Sequence, residues 1–188
     1  MEHDQLGGLF AAMARKVGAI VENVADQAAA VAYIAARVGG EELLLPSCPG
    51  LERFELADRL RTAGIEIVDA DLRARAPLAA AGLTGADFAI AATGTVVLES
   101  SDEAVRLAST LPPVHFVLLD PRTIVADSAA AVPLLRRFHA ELRQAFLAYI
   151  TGPSRTADIE RVLTIGVHGP KELHILLCEG IAGDLLES

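Results

Sequence analysis

The sequence contains no tryptophan, and aromatic residues make up only 4% of it, so the core cannot be built on large rings. Cysteine is nearly absent. Cys48 and Cys178 stand far apart, without the Cys-x-x-Cys spacing of zinc or iron–sulfur ligation. Both are expected as small buried or half-buried hydrophobes, and a disulfide between them is not expected in a reducing compartment. Cations are in deficit: 16 Lys and Arg face 25 Asp and Glu, a formal net charge of -9. Nucleic-acid affinity rests on Lys and Arg contacts to phosphate, so no such partner is expected. No apolar run reaches the ~18–20 residues needed to span a bilayer. Met1 to Gln5 is polar and acidic and leads into no apolar core of signal type, which makes the cytoplasm the expected location. Metalloprotease, nucleophile-elbow, Walker and dinucleotide-binding patterns are all missing. The expectation is therefore no metal and no intrinsic cofactor, and a small anionic molecule is left as the expected ligand.

What is present is apolar residue, 52% of the chain and rich in alanine, enough for one packed domain of 188 residues. Leu9, Met13, Val17 and Ile20, continued by Val24, Ala28, Val31, Ile34 and Ala35, recur at helical spacing, predicting a helix from about Leu6 to Val38. Gly39-Gly40 stops it. Residues 1–40 thus read as a helical segment packed on a main domain of residues 41–188. Leu43 to Leu45 reads as a buried strand, Leu51 to Ala63 as a helix with Phe54, Leu56 and Leu60 inward, and Ile65 to Val68 as the next strand. This strand–helix–strand rhythm signals parallel pairing with right-handed crossovers. Phe88 to Ala92 and Thr95 to Glu99 flank the two-residue joint Thr93-Gly94, which has room only for an antiparallel hairpin. Val114 to Leu119 is the best central strand. Ser128 to Tyr149 reads as an amphipathic helix with Val132, Leu135, Phe138, Leu142, Phe146 and Tyr149 on one face. Leu173 to Cys178 closes the domain; periodicity leaves Val162 to Val167 open between strand and helix end. The fold class is α/β: three layers, with a mostly parallel mixed sheet flanked by helices.

Three segments carry chemistry. In Thr151-Gly152-Pro153-Ser154-Arg155-Thr156, glycine permits close backbone approach, Ser154 and Thr156 can cap a helix whose free N–H groups face an anion, and Arg155 offers a planar fork to carboxylate or phosphate. The plainer alternative is a capped helix start with Arg155 paired to Asp158 or another acid. Thr93-Gly94-Thr95 offers hydroxyl and backbone donors, or is simply the hairpin turn. In His168-Gly169-Pro170-Lys171, the imidazole of His168 is suited to moving a proton near neutral pH or orienting a carboxylate, and Lys171 can neutralise an anion. The alternative is a turn histidine beside a surface lysine. Glu99, at a strand end, is a weaker candidate base, otherwise solvated or salt-bridged. His115 reads as a packed core histidine. Asp69 and Asp71 read as a solvated loop near a strand end.

Three blocks together resemble a known family: Thr84 to Ser100, containing Thr-Gly-Ala-Asp-Phe-Ala-Ile-Ala-Ala-Thr-Gly-Thr; Leu111-Pro112-Pro113-Val114-His115; and Ile150 to Glu160 followed by Gly166-Val167-His168-Gly169-Pro170-Lys171-Glu172-Leu173-His174. In this order and spacing the chain resembles the lactate-utilization C family, which carries the LUD domain. The resemblance is close over the C-terminal half and one of layout over the rest. It implies a fold like that of sugar-phosphate isomerases, CoA transferases and formyltetrahydrofolate cyclo-ligase. It also implies a role in oxidising L-lactate to pyruvate beside two partner subunits, at least one bearing iron–sulfur clusters. Family members often place an acidic residue before the Thr-Gly pair; Ala92 stands there, so no carboxylate can transfer a proton from that position. Two further functions stay open. One, implied by the shared fold, is a CoA-thioester transferase or sugar-phosphate isomerase with a CoA-like or sugar-phosphate ligand; as a CoA transferase it would need a glutamate nucleophile, for which Glu99 is the candidate. The other is a non-catalytic assembly or regulatory subunit docking partners through Leu6 to Val38.

Overall fold

The computed structural model describes residues 3–47, 51, 55–142, 145–156, 164–166 and 168–181. Six parallel strands form the main sheet: β1 (Ile20–Asn23), β2 (Glu42–Leu44), β3 (Glu66–Val68), β4 (Ala81–Gly85), β7 (Val114–Leu119) and β12 (Glu172–Leu177), in the order β1-β12-β7-β4-β2-β3. Residues two apart on a strand share a face, and the two faces are covered differently. Leu43, Leu83, Phe116, Leu118 and Leu176 pack under α2 (Gln27–Val38) and α3 (Leu56–Thr62), through Ala30, Ile34, Leu56 and Leu60. Asp26 starts α2 by accepting the Ala29 N–H at 2.8 Å, a side-chain cap that satisfies one orphan donor.

The opposite face, through Val117, Leu119, Ile175 and Leu177, packs against α1 (His3–Lys16) and a second sheet. That sheet has the order β8-β5-β6-β9, from β5 (Phe88–Ile90), β6 (Thr95–Glu99), β8 (Ile124–Val125) and β9 (Leu147–Ile150). β5 and β6 form the expected antiparallel hairpin, Phe88 opposite Val97. Its alternation serves two cores at once. Ala89, Val96 and Leu98 face α1, whereas Phe88, Ile90 and Val97 face Phe138 of α6 (Val132–Glu141). Two short helices, α4 (Leu72–Arg75) and α5 (Glu103–Thr110), complete this opposite side, against Leu44 and Val68 of the main sheet.

Two helices are shorter than their periodicity predicts. Leu6 to Val38 is not continuous: Gly18 takes a φ of +91° after α1, and Ile20–Asn23 becomes the edge strand β1, pairing with β12. The predicted stripe was also one position off. Phe10, Ala11 and Ala14 are the buried residues of α1, while Leu9 is 40% and Ile20 38% exposed. The β-branched pair Ile20-Val21 fits an edge that β12 leaves open; residues 1–40 therefore contribute a strand to the main sheet as well as helices. The second overrun is Ser128 to Tyr149. α6 ends at Glu141, and Leu147–Ile150 turns into β9 because the free edge of β6 takes it up antiparallel. Phe146 and Tyr149, predicted inward, are more than half exposed. Phe54 and Cys48 lie outside the described residues; Cys178 is buried and free. No helix among the described residues is long and apolar enough to cross a membrane.

Candidate functional site

Both turn segments meet the end of α1. The hydroxyls of Thr93, Thr95 and Thr151 form a chain, with Oγ1 atoms 2.7 Å apart between Thr93 and Thr95 and 2.8 Å apart between Thr95 and Thr151. Gly152, at φ +83°, lies so close to α1 that a Cβ there would stand 2.3 Å from the Val17 carbonyl oxygen. The third segment joins by backbone: Ser154 N–H donates to Pro170 O at 2.9 Å, and Lys171 N–H donates to Pro113 O at 2.7 Å. The three segments picked out by chemistry are therefore neighbours in space.

Those of Thr151 and His168 border a cavity of about 250 Å³ at the N-terminal ends of β7 and β12. Thr151, Gly152, Ser154 and His168 line it, with Ser109 and Thr110 from the end of α5, Tyr149 from β9, and His115 and Leu173 from the sheet. Thr93, Gly94 and Thr95 stand behind Thr151 instead of in the wall. Gly94 is buried against Met13 and Ala14. Arg155 is exposed and donates through Nη2 to the Val17 carbonyl. It serves as a cation at the carbonyl end of α1, where the helix dipole favours positive charge. Thr156 continues β10 (Arg155–Thr156), which pairs with β11 (Thr164–Ile165); the helical start expected after it falls on 157–160, outside the described residues, as does Asp158. Lys171 is exposed, with its stem against Gly166 and outside the cavity wall.

Glu99 is elsewhere. It ends β6 four residues beyond Thr95, roughly 13 Å along an extended strand. Its carboxylate accepts the Ser101 N–H at 2.9 Å and the Ser101 hydroxyl, closing a turn. Beside it, Asp87 Oδ2 accepts the Glu99 N–H at 2.5 Å. Burial pushes the Asp87 carboxyl up to about 6, the Glu99 charge adds to this, and the N–H bonds oppose it. A carboxyl raised in the folded state contributes stability that is full below its unfolded pKa near 3.8 and lost as pH rises through about 6. Asp87→Asn keeps the acceptor without the charge. It is expected to raise stability on the order of 2 kcal/mol at pH 8 and almost nothing at pH 4. Urea unfolding at both pH values checks this, and an equal gain at both would contradict it.

Sequence reasoning missed His115 as a lining residue. A histidine inside an apolar strand reads as core, and it is fully buried; the sequence carries no signal that the cavity reaches it. Asp69 pairs with Arg61 at 2.7 Å and, with Asp71, borders a separate open groove. Among the described residues no group of three or more His, Cys, Asp or Glu is placed to hold a metal ion.

Residues 8–178 match the family model described as the LUD domain. The chain is 32% identical over 163 residues to Lactate utilization protein C of Anoxybacillus flavithermus, covering 84% of this chain and 72% of that protein. It is 31% identical over 156 residues to Lactate utilization protein C of Bacillus subtilis, covering 76% and 65%. The matched stretch thus spans about two thirds of these relatives. A DUF162 family protein from Deinococcus radiodurans has the same fold, with a TM-score of 0.69 at 20% identity over 95% of this chain and 99% of that one.

Proposed function

We propose that this chain, which belongs to the LUD domain family, works in lactate utilization by binding a small organic acid in the cavity between the Thr151–Ser154 turn and His168. The observation that carries this reading is the convergence of the two turns on one cavity of about 250 Å³, in a chain similar to proteins named for lactate utilization. The chemistry fits a small acid. Thr151 and Ser154 bring hydroxyls, and His168 brings a ring N–H at the mouth, groups that donate to a carboxylate while leaving it partly hydrated. Oxidising L-lactate to pyruvate releases two electrons and two protons. The reading assigns acid binding to this chain and electron transfer to iron–sulfur partner proteins.

The geometry favours this over acyl transfer, because Glu99 is held by Ser101 at the far end of β6. It also leaves little for a docking helix at the N-terminus, since Phe10, Ala11 and Ala14 are buried within the chain. Calorimetric titration with L-lactate and pyruvate tests the proposal. Both should bind, and His168→Ala should weaken binding about tenfold, a loss near 1.4 kcal/mol. Arg155→Ala should leave affinity within about twofold and lower stability by ~0.5–1 kcal/mol through the lost contact at the end of α1. Absence of heat with either acid, or affinity lost with Arg155 and kept without His168, would overturn it.

A further inference from the structure

One residue that lines this cavity carries a polar atom with no hydrogen-bond partner among the described residues. His115 is fully buried at the start of β7, and its Nε2 lies 2.9 Å from Thr84 Oγ1 on the neighbouring strand β4. Its Nδ1, equally buried, has no hydrogen-bond partner among the described residues. The same residue lines the cavity. A buried polar atom without a partner is rare and costly to the fold, so its place on a residue that lines a cavity points to a partner supplied from the cavity side.

The chemistry of that partner follows from the charge state. Burial pushes the imidazole down to about 3, so the ring is neutral at physiological pH. A neutral imidazole has one donor and one acceptor nitrogen. If Nε2–H donates to Thr84, Nδ1 accepts and calls for a hydroxyl; if the Thr84 hydroxyl donates to Nε2, Nδ1–H donates and suits a hydroxyl or a carbonyl oxygen. A carboxylate placed there would lose its water without gaining a cation, a costly exchange. The charged end of a ligand therefore belongs at the mouth, with Thr151, Ser154 and His168, and an uncharged oxygen belongs inside.

Resting on the acid-binding reading above, we infer that His115, its Nε2 accepting from the Thr84 hydroxyl so that Nδ1–H donates, is the inner contact of the site and recognises the oxygen on the carbon next to the carboxylate of a 2-hydroxy or 2-oxo acid. His115 is then a specificity residue, and Thr84 a positioning residue that acts by fixing the ring.

Two-bond proton–nitrogen spectra of the histidine side chains in the nitrogen-15-labelled full chain test this. L-lactate and pyruvate should each move the His115 Nδ1 resonance, whereas propionate, which lacks the inner oxygen, should leave it in place. His115→Phe should weaken L-lactate binding about tenfold and change propionate binding by less than about twofold. Thr84→Val should alter the His115 nitrogen resonances before any acid is added and narrow the preference for L-lactate over propionate; Thr84→Ser should restore both. If calorimetry shows both acids bound while His115 stays unmoved, or if propionate moves it equally, the inference fails and the acid-binding reading stands. If neither acid binds, both fail.

Discussion

Gly82→Ala is expected to destabilise the protein by about 3 kcal/mol or more, against the usual direction for a strand glycine. Alanine in a strand ordinarily gains a few tenths to about 1 kcal/mol by restricting the unfolded chain. Here the added methyl would lie 2.0 Å from the Ala108 carbonyl oxygen, 2.7 Å from its carbon and 3.0 Å from its Cα. All three are backbone atoms of α5, so no rotamer change relieves the clash. Neither side can give way easily. Gly82 sits between β2 and β7, opposite Leu44 and His115, and α5 runs through Leu111-Pro112-Pro113 directly into β7. Overpacking a well-filled core typically costs ~1–3 kcal/mol, and a backbone-on-backbone collision belongs at or beyond the top of that range. Ser109 and Thr110, which line the cavity, follow the displaced residue, so acid binding should weaken in whatever fraction still folds. Urea unfolding is the measurement; a cost below about 1 kcal/mol would mean that α5 does not sit on β4 as described.

Gly94→Ala is expected to cost a similar ~3 kcal/mol, and it separates two roles for the Thr-Gly pair. Gly94 has a φ of +65°, which an L side chain adopts at a cost of roughly 1 kcal/mol. A Cβ there would approach the Ala14 nitrogen to 2.3 Å and the Met13 carbonyl carbon to 2.6 Å. If this glycine existed to bring backbone close to a ligand, alanine would spare the fold and spoil binding. The packing against α1 predicts the reverse order. The unfolding midpoint should fall sharply, and the remaining folded protein should bind acid with affinity changed by less than about threefold. A variant of normal stability with abolished binding would return Gly94 to the site.

Much of the framework was legible before any coordinates. Val114 to Leu119 is a short run that is apolar but for His115, the pattern of a strand buried on both faces; it is flanked by β12 and β4. Two residues between Phe88–Ala92 and Thr95–Glu99 left room only for a hairpin, and β5 and β6 pair antiparallel. The helix ends were less legible. Helical spacing continued by coincidence through Ile20 and through Tyr149, but each segment fits an open sheet edge, and pairing with a distant strand overrides local period.

The site divides along the same line. Residue chemistry picked out Thr151, Ser154 and His168, which share one cavity, because hydroxyls, glycine and imidazole on tight turns are recognisable locally. Arg155 and Lys171 were chosen for their charge, and charge alone does not say where a long side chain ends. The chain fold takes Arg155 to the carbonyl end of α1 and Lys171 over Gly166.

What the sequence by itself determined, then, is the family, the run of parallel strands and the hairpin, since each is written in short stretches of neighbouring residues. What only the tertiary structure decided is which residues enclose space: that His115 meets Thr84, 31 positions away, and keeps one nitrogen unmatched among the described residues, and that Gly82 must stay bare beneath Ala108. The reason is geometric. Period and composition specify which way a side chain faces, but hydrogen-bond satisfaction and close approach depend on the element packed opposite, which pairing across the sheet selects.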